Sequence, residues 1–478
     1  MGEHSDIVDF EANIHEALQN KQLRHNLRSA MDALSQRRGA VFADKKEFEK
    51  LRDIGSTIRQ RSLSKLPELL EKLEKKCTEN GIQVHWAETP VQANEIFLEI
   101  IRSHGASRVI KGKSMVSEET HLNLFLEENG IEILETDLGE YIIQLDHETP
   151  SHIIVPAIHK NKDQIAHLFH DKIPDTPYTE VVEELNAIAR KTLRQKFFGG
   201  EIGISGVNFA VAETGTLCLV ENEGNGRMCT TVPPVHIAIM GLEKVVEKLE
   251  DVPPLLRLLT GSATGQLITT YFNMITSPRK PGEKDGPKEV HLVILDNGRS
   301  KILADPELRQ TLQCIRCGAC LNHCPVYTRL GGHAYGYVYP GPIGSILTPQ
   351  MIGLEYAGNL AFASSLCGAC QEVCPVKIPF TQLFRRLRNE MYDNETPTNT
   401  VKGHGCKDNL TEDLAWKGWA TVSTHPILNK VGMKMLGITG GQLPKVGPLK
   451  EWTSARTAPR FAKKSLHQLA KEKGLDDE

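Results

Sequence analysis

Apolar residues follow two alternating spacings between residues 66 and 298. In one spacing they recur every three or four positions, as on the buried face of a helix, and in the other they form short unbroken runs typical of buried strands. Gly81 and Gly130 lie where two of the helical patterns should end. Three helical patterns are each followed by a strand-like run. In chain order, the helical pattern 66–80 precedes the run 82–86, 91–103 precedes 108–111, and 118–128 precedes 131–134.

This alternation predicts an α/β domain with a largely parallel sheet over residues 66–298. Five later apolar runs are expected to complete the sheet: 141–145, 153–155, 216–220, 236–240 and 290–295.

The regions on either side of this domain have different patterns. Residues 1–65 are strongly charged, with apolar residues at helical spacing, and predict an N-terminal helical segment. Residues 300–393 contain most of the cysteines and two helical patterns, at 350–363 and 380–392, which predict a mostly helical second domain. Residues 394–478 form a C-terminal extension that starts with a linker-like stretch and ends in a charged helix from about residue 460.

Composition narrows the class of protein. The chain has 478 residues and a formal net charge of -4, which does not favour binding to nucleic acid. The most apolar window, 254–275, is interrupted by Arg257 and several polar residues, so an integral membrane protein is not expected. The first 20 residues lack the apolar core of a secretory signal, and the 11 cysteines are an odd number. Together these features predict a cytoplasmic protein with free thiols rather than disulfides.

Two cysteine motifs carry the strongest chemical signal. Both consist of cysteines separated by two residues, followed by a cysteine after three residues and then proline. The first motif contains Cys314, Cys317, Cys320 and Cys324, and the second contains Cys367, Cys370 and Cys374. Thiolates are the ligands of iron–sulfur clusters, and the Cys-Pro ending is typical of ferredoxins. A zinc ribbon also uses Cys-x2-Cys pairs, but seven cysteines at these offsets fit four-coordinate zinc badly.

The ferredoxin pattern also predicts which cysteines share a cluster, because the cysteine before proline ligates the other cluster. Cluster 1 is expected on Cys314, Cys317, Cys320 and Cys374, and cluster 2 on Cys324, Cys367 and Cys370. Cluster 2 is then one thiolate short, and the register of the first motif puts Ser364 at the missing position. Three outcomes remain open: a [4Fe–4S] cluster completed by Ser364 or another oxygen ligand, one completed by water or a partner, or a [3Fe–4S] cluster.

Other candidate sites are weaker. The basic residues Lys111 and Lys113, between a predicted strand and a predicted helix, are arranged as in an anion site, although an ordinary turn explains them as well. The segment 212–216, with sequence AETGT, has the same two interpretations. No P-loop or strand–GxGxxG–helix motif is present, so nicotinamide and ATP chemistry have no support. The remaining cysteines are interpreted as structural residues: Cys77, Cys218, Cys229 and Cys406.

The order of these motifs resembles the lactate utilization protein B family. The resemblance rests on an AETGT-bearing α/β domain followed by CIRCGACLNHCPVY and SSLCGACQEVCPVKIP, and it extends over nearly the whole chain. It implies an α/β lactate-utilization domain, related to the sugar-isomerase and CoA-transferase fold, and a ferredoxin-type dicluster domain. It also implies the same seven cysteine ligands, and a role in oxidising L-lactate to pyruvate with two companion proteins.

The functional expectation is an electron-transfer subunit of a lactate-oxidising complex rather than an enzyme acting alone. The pair of clusters would accept the two electrons that a 2-hydroxy acid releases, and the electron acceptor is unknown. The alternative is that the α/β domain binds a small carboxylate or an acyl-CoA itself, using Glu213 or Lys113, with the clusters as local acceptors.

Overall fold

The buried apolar runs form the centre of a parallel sheet in the computed structural model, which describes residues 10–392, 410–438, 462, 464 and 466–474. Two compact units divide the chain, Met1–Gly403 and His404–Glu478. The ten strands of the first unit are, in order, β1 Ile82–Ala87, β2 Arg108–Lys111, β3 Glu132–Glu135, β4 Ile202–Gly206, β5 Phe209–Val211, β6 Thr216–Glu221, β7 Val235–Gly241, β8 Val245–Val246, β9 Tyr271–Ile275 and β10 Glu289–Leu295.

Six strands make the main sheet, in the order β1-β10-β7-β4-β2-β3, and all neighbouring strands run parallel. Every residue of the central strand β7 is buried, as expected where helices cover both faces of a parallel sheet. The α/β class predicted from the sequence is therefore confirmed. The helices of this part are Leu66–Glu79, Pro90–Ser103, Met115–Glu119, Leu122–Glu128, Leu138–Leu145, Lys162–Lys172, Val182–Gly199, Asn225–Cys229 and Val252–Ala263.

Three of the predicted strands differ from the structure. Residues 216–220 do form a strand, but it belongs to a second sheet of order β8-β5-β6-β9. Residues 141–145 lie in the helix Leu138–Leu145, which starts where Asp137 accepts hydrogen bonds from two backbone N–H groups of its first turn. Residues 153–155 form an irregular bend, in which the ring of His152 accepts hydrogen bonds from the backbone N–H groups of Ile154 and Val155. Short apolar runs do not by themselves distinguish strand from helix or turn.

The described residues of the cysteine region form short helices joined by loops, without a strand. Its α-helices are Arg299–Ala304, Ala319–Asn322, Tyr327–Leu330, Gly341–Ile352, Leu354–Ala357, Ala369–Val373 and Phe380–Tyr392. The helix predicted at 350–363 is broken at Gly353, whose φ of 108° is incompatible with a continuing helix. The predicted helix at 380–392 is present with the same bounds.

Three N-terminal helices, Phe10–Gln19, Lys21–Val41 and Lys45–Ser64, pack against both the small sheet and the cysteine region. One continuous apolar core contains buried residues from all three parts, including Leu27, Val245 and Leu383. The segments before and after the α/β domain are therefore packed into one unit with it.

The second unit contains the helices Leu410–Thr424, Pro426–Ile438 and Leu466–Glu472. Its first helix exposes Trp416 and Trp419, whose rings meet edge to face at 5.9 Å. Most of the predicted linker, including Cys406, lies outside the described residues. No helix in the described ranges has the length and apolar character needed to cross a bilayer.

Candidate iron–sulfur centre

Four cysteines from both motifs line one small cavity. These are Cys314, Cys317 and Cys320 from the first motif and Cys374 from the second. All four side chains are buried, with between 5% and 9% of each residue exposed. The ring of Phe380 and the side chains of Ile315 and Ile343 complete the walls of this cavity, called cradle 1 below.

The other three cysteines, Cys324, Cys367 and Cys370, line a second cavity, called cradle 2. Ser364 lines the same cavity, at the position that the register of the first motif indicates. Cys324 and Cys370 are buried, but Cys367 is exposed. Cradle 2 therefore reaches the surface of this unit, whereas cradle 1 is enclosed.

The two motifs share one backbone design. Arg316 and Gly318 have φ values of 60° and 73°, and their counterparts Leu366 and Gly368 have values of 56° and 81°. These left-handed residues on either side of Cys317 and Cys367 turn each loop back on itself, so that successive cysteines face one point. Such angles are unfavourable for residues with a side chain, and their recurrence indicates that the loop shape is a requirement of the site.

The donor groups fit an iron–sulfur core. Burial, followed by the neighbouring cysteines, raises the pKa of Cys317 and Cys370 to about 12, and burial raises that of Cys374 to about 11. Thiols packed in this way ionise only when a cationic centre compensates their charge. A cavity walled by four thiols, beside one walled by three, matches the donor set that two soft, cationic metal cores require.

Backbone N–H groups point at several of the sulfur atoms. The N–H of Arg316 donates to Cys314 Sγ, that of Tyr327 to Cys324 Sγ, and that of Ile378 to Cys374 Sγ, each at 3.4 Å. Hydrogen bonds to ligand sulfur are one of the means by which a protein sets the reduction potential of such a centre.

A fully buried arginine joins cradle 1 to the α/β domain. Arg59 donates to the carbonyl oxygens of Leu312 and Gln313, just before Cys314, and to those of Glu243 and Val245 near the small sheet. Its guanidinium therefore bridges two parts of the chain that are distant in sequence. Sequence reasoning assigned no role to this helix, because a lone arginine in a charged segment carries no distinctive pattern.

A buried ionic network continues this connection. Glu243 accepts from Arg299 at 2.7 Å and from Arg316 at 3.2 Å, and Arg299 also pairs with Glu119 at 2.7 Å. Burial raises the pKa of Glu243, but the two arginines outweigh it and hold the value at about 2. The hydroxyl of Tyr339 donates to Glu119 at 2.8 Å, so this tyrosine supports the network.

The N-terminal helices also hold the second motif in place. Arg38 donates to the carbonyl of Val373 at 2.9 Å, and Arg52 donates to that of Cys374 at 2.9 Å. Lys377, which follows the motif, pairs with Glu49 at 2.6 Å. The charged faces of these helices thus contain positioning residues for the cysteine loop.

A larger cavity of about 430 Å³ adjoins cradle 1 within the same unit. It lies between the carboxyl ends of the sheet and the cysteine region, and Arg316 lines both cavities. Lys113 also lines the large cavity, where its ammonium donates to the carbonyl of Ile154 at 2.7 Å. Burial and the charge of Asp137 raise the pKa of the lining residue Glu223 to about 7.

The other sequence candidates have structural roles. Lys111 is fully buried and pairs with Glu118 at 2.9 Å and with Glu135. The AETGT segment is the hairpin turn between β5 and β6, where Gly215 has a φ of 69°. Glu213 accepts a hydrogen bond from the N–H of Leu249 and does not line the large cavity. Three further cysteines are buried away from both cradles, and burial raises the pKa of each to about 12; they are Cys77, Cys218 and Cys229.

Three family models match consecutive parts of the chain. Residues 70–295 match the LUD domain, residues 310–378 match a 4Fe-4S dicluster domain, and residues 386–475 match the C-terminal domain of lactate utilisation protein B. A solved DUF162 family protein from Deinococcus radiodurans is 12% identical, with a TM-score of 0.28, covering 48% of this chain and 98% of its own.

Curated relatives match over almost the full length. Lactate utilization protein B of Shouchella clausii is 42% identical over 97% of this chain and 96% of its own, and that of Bacillus licheniformis is 41% identical over 98% of both. An Escherichia coli protein named "Uncharacterized electron transport protein YkgF" is 42% identical over 95% of this chain and 94% of its own. The family resemblance inferred from the motifs is thereby confirmed, and the chain belongs to the lactate utilization protein B family.

Proposed function

We propose that this chain is an electron-transfer subunit that carries electrons during the oxidation of L-lactate to pyruvate in a multi-protein system. The observation that supports this best is the convergence of seven cysteines from two distant motifs on two neighbouring cavities. The match to a 4Fe-4S dicluster domain and the names of the relatives agree with it. Clusters on such ligands supply one-electron transfer.

Cradle 1 is proposed to hold a [4Fe–4S] cluster on four thiolates. The crossed arrangement, in which Cys374 completes the first motif and Cys324 completes the second, supports the ligand sets predicted from the Cys-Pro spacing. Cradle 2 holds the second cluster on three thiolates.

Ser364 is the protein ligand favoured for the fourth position of cradle 2. The N–H of Leu366 donates to Ser364 Oγ at 3.2 Å, just as the N–H of Arg316 donates to Cys314 Sγ at 3.4 Å. Both donors have the same left-handed φ. Ser364 Oγ therefore has the hydrogen-bond partner that a ligand sulfur has in cradle 1, which favours an oxygen ligand over the [3Fe–4S] alternative.

The difference in exposure between the two cradles supports a direction of electron transfer. Cradle 1 adjoins the large internal cavity, whereas cradle 2 reaches the surface at Cys367 and Leu366. A partner that takes electrons from this chain would dock at the exposed end. That partner is unidentified, and two companion lactate-utilization proteins in the cytoplasm are proposed to supply the hydride chemistry.

The test is to reconstitute the protein anaerobically and add L-lactate with and without its two companion proteins. Electron paramagnetic resonance detects reduction of the clusters. We expect that reduction only when the companions are present. Reduction by lactate with the purified chain alone would favour the enzyme alternative, and no reduction in either mixture would contradict a role in lactate oxidation.

Metal analysis tests the cofactor assignment independently. Two cubane clusters correspond to about eight irons per chain and a cubane with a [3Fe–4S] centre to about seven. Zinc in place of iron after anaerobic purification would refute the proposal.

A further inference from the structure

The large cavity beside cradle 1 has the size and position of a ligand site. Its volume of about 430 Å³ lies within the range of roughly 300–1,000 Å³ that small-molecule sites occupy. It opens where the strands β2 and β4 end, which is where open parallel sheets commonly bind ligands. Neither the cysteine ligation nor the packing described above accounts for its polar lining.

The acidic residues of this lining already have hydrogen-bond donors. Glu221 accepts from the backbone N–H groups of Gly226 and Arg227 at 2.7 Å each. Asp137 accepts from the first turn of its helix, and Glu223 accepts from the N–H of Leu138 at 3.2 Å. These carboxylates are therefore satisfied within the protein.

Two cationic residues of the lining have donors that are available to a ligand. Lys244 is 7% exposed, and no hydrogen bond or ion pair joins its ammonium to another described residue. Arg316 is also 7% exposed, and while its Nη2 donates to Glu243, its Nη1 is buried without a partner. A buried donor that lacks an acceptor costs roughly 1–3 kcal/mol, and an anion in the cavity would supply an acceptor for Arg316 Nη1.

We propose that Lys244 and Arg316 bind the carboxylate of a small monocarboxylic acid in this cavity, next to cradle 1. An arginine fork suits two carboxylate oxygens, and a lysine adds a point charge. The lining contains three cations, Lys113, Lys244 and Arg316, against three acids. This balance suits a singly charged head group and disfavours a polyphosphate such as an acyl-CoA.

The position of Arg316 links this site to the cysteines. It lies between Cys314 and Cys317 in the strained left-handed conformation, so a ligand held by its guanidinium sits directly beside the enclosed cradle. The choice of a 2-oxo acid as probe rests on the proposed function, but the carboxylate site itself rests only on the cavity.

The test is calorimetric titration of the anaerobic, cluster-loaded chain with pyruvate, with its neutral analogue pyruvamide and with inorganic phosphate. We expect pyruvate to bind, and pyruvamide and phosphate to bind at least tenfold more weakly. The variant Lys244→Met should weaken pyruvate binding tenfold or more, and Arg316→Lys should weaken it by a smaller factor. Lys248→Met, which changes an exposed lysine just after β8, is the matched control and should bind as the unmodified chain does.

The proposal would be overturned if pyruvate and pyruvamide bound with equal affinity, if phosphate bound more tightly than pyruvate, or if Lys244→Met bound pyruvate as the unmodified chain does. The absence of pyruvate binding at millimolar concentration would also overturn it. Iron content measured on each variant shows that the cradles are intact. If pyruvate binds but lactate never reduces the clusters with the companions present, the proposed electron-transfer role fails while the carboxylate site stands.

Discussion

Cradle 1 and cradle 2 are built from the same loop but have different surroundings. Both have a cysteine flanked by two left-handed residues, and both are lined by at least one cysteine from the other motif. Cradle 1 has four buried thiols and lies against Arg59 and the ionic network of Glu243. Cradle 2 has three thiols, one of them exposed, and a serine at the fourth position.

The difference shows that local sequence determines the shape of the loop and that tertiary packing determines its environment. An enclosed site stabilises its charge through fixed partners, whereas an exposed site is open to solvent, to oxidants and to a docking protein. The following five predictions test this contrast, beginning with the largest expected effect.

Replacing Cys374 with serine should remove the cluster of cradle 1, although Cys374 lies in the second motif. We expect a loss of about half the iron, with the resonance signal of the exposed cluster retained. Cys370→Ser should have the reverse effect. If Cys374→Ser instead removes the signal of cradle 2, the crossed assignment is wrong.

Replacing Glu243 with glutamine should strongly destabilise the fold around cradle 1, because Arg299 and Arg316 would be left without their shared counter-charge. We expect the free energy of unfolding to fall by about 3–5 kcal/mol, measured by anaerobic denaturant titration. Glu250→Gln, at an exposed position, is the control and should change it little.

This variant should also change the acid sensitivity of the protein. The pKa of Glu243 in the fold, about 2, is below that of an unfolded glutamate. Its charge therefore stabilises the fold above the ordinary glutamate range, and that stabilisation is lost as the pH falls towards 2. The unmodified chain should lose more stability than Glu243→Gln over this interval, and parallel curves would contradict the assignment.

Replacing Arg52 with alanine should loosen the second motif without removing a ligand. Its guanidinium donates to the carbonyls of Cys374 and Gln371, and the loss of such bonds should cost about 2 kcal/mol of unfolding free energy. Arg28→Ala, which removes an exposed i,i+4 pair, should cost well under 1 kcal/mol. Equal effects in the two variants would show that Arg52 does not support the loop.

Replacing Ser364 should have the smallest effect on iron content, but it should change the resonance signal of cradle 2 specifically. Ser364→Cys supplies a fourth thiolate, so we expect a shifted resonance signal and slower loss of iron in air for cradle 2, with cradle 1 unchanged. Ser365→Cys, one residue outside the register, is the control. The same shift in both variants would exclude a ligand role for Ser364.

The repetitive parts of the fold were predictable from sequence because their periodicity is long and regular. The helix at 380–392 and the strand at 108–111 were predicted with the observed bounds, since uninterrupted patterns end at clear breaks. Short runs failed where one side chain decides the conformation, as Asp137 does at the start of its helix. The strand β4, which lies in a glycine-rich segment, was missed because glycine lowers the strand signal.

The grouping of the seven cysteines around two cavities was predictable, because the spacing that brings them together is encoded within a few residues of each motif. The roles of Arg59, Arg316 and Lys244 were not, because each depends on groups from distant parts of the chain. The large cavity is likewise a product of tertiary packing. Only Lys113, which follows a strand and precedes a helix, indicated its position from sequence.

The exchange of one cysteine between the motifs has a consequence for how the protein matures in the cell. Cradle 1 includes Cys374, so it remains incomplete during synthesis until the second motif has been made and folded back. We therefore expect cluster insertion to follow translation of both motifs, and we expect truncated chains that end between the motifs to remain without either cluster.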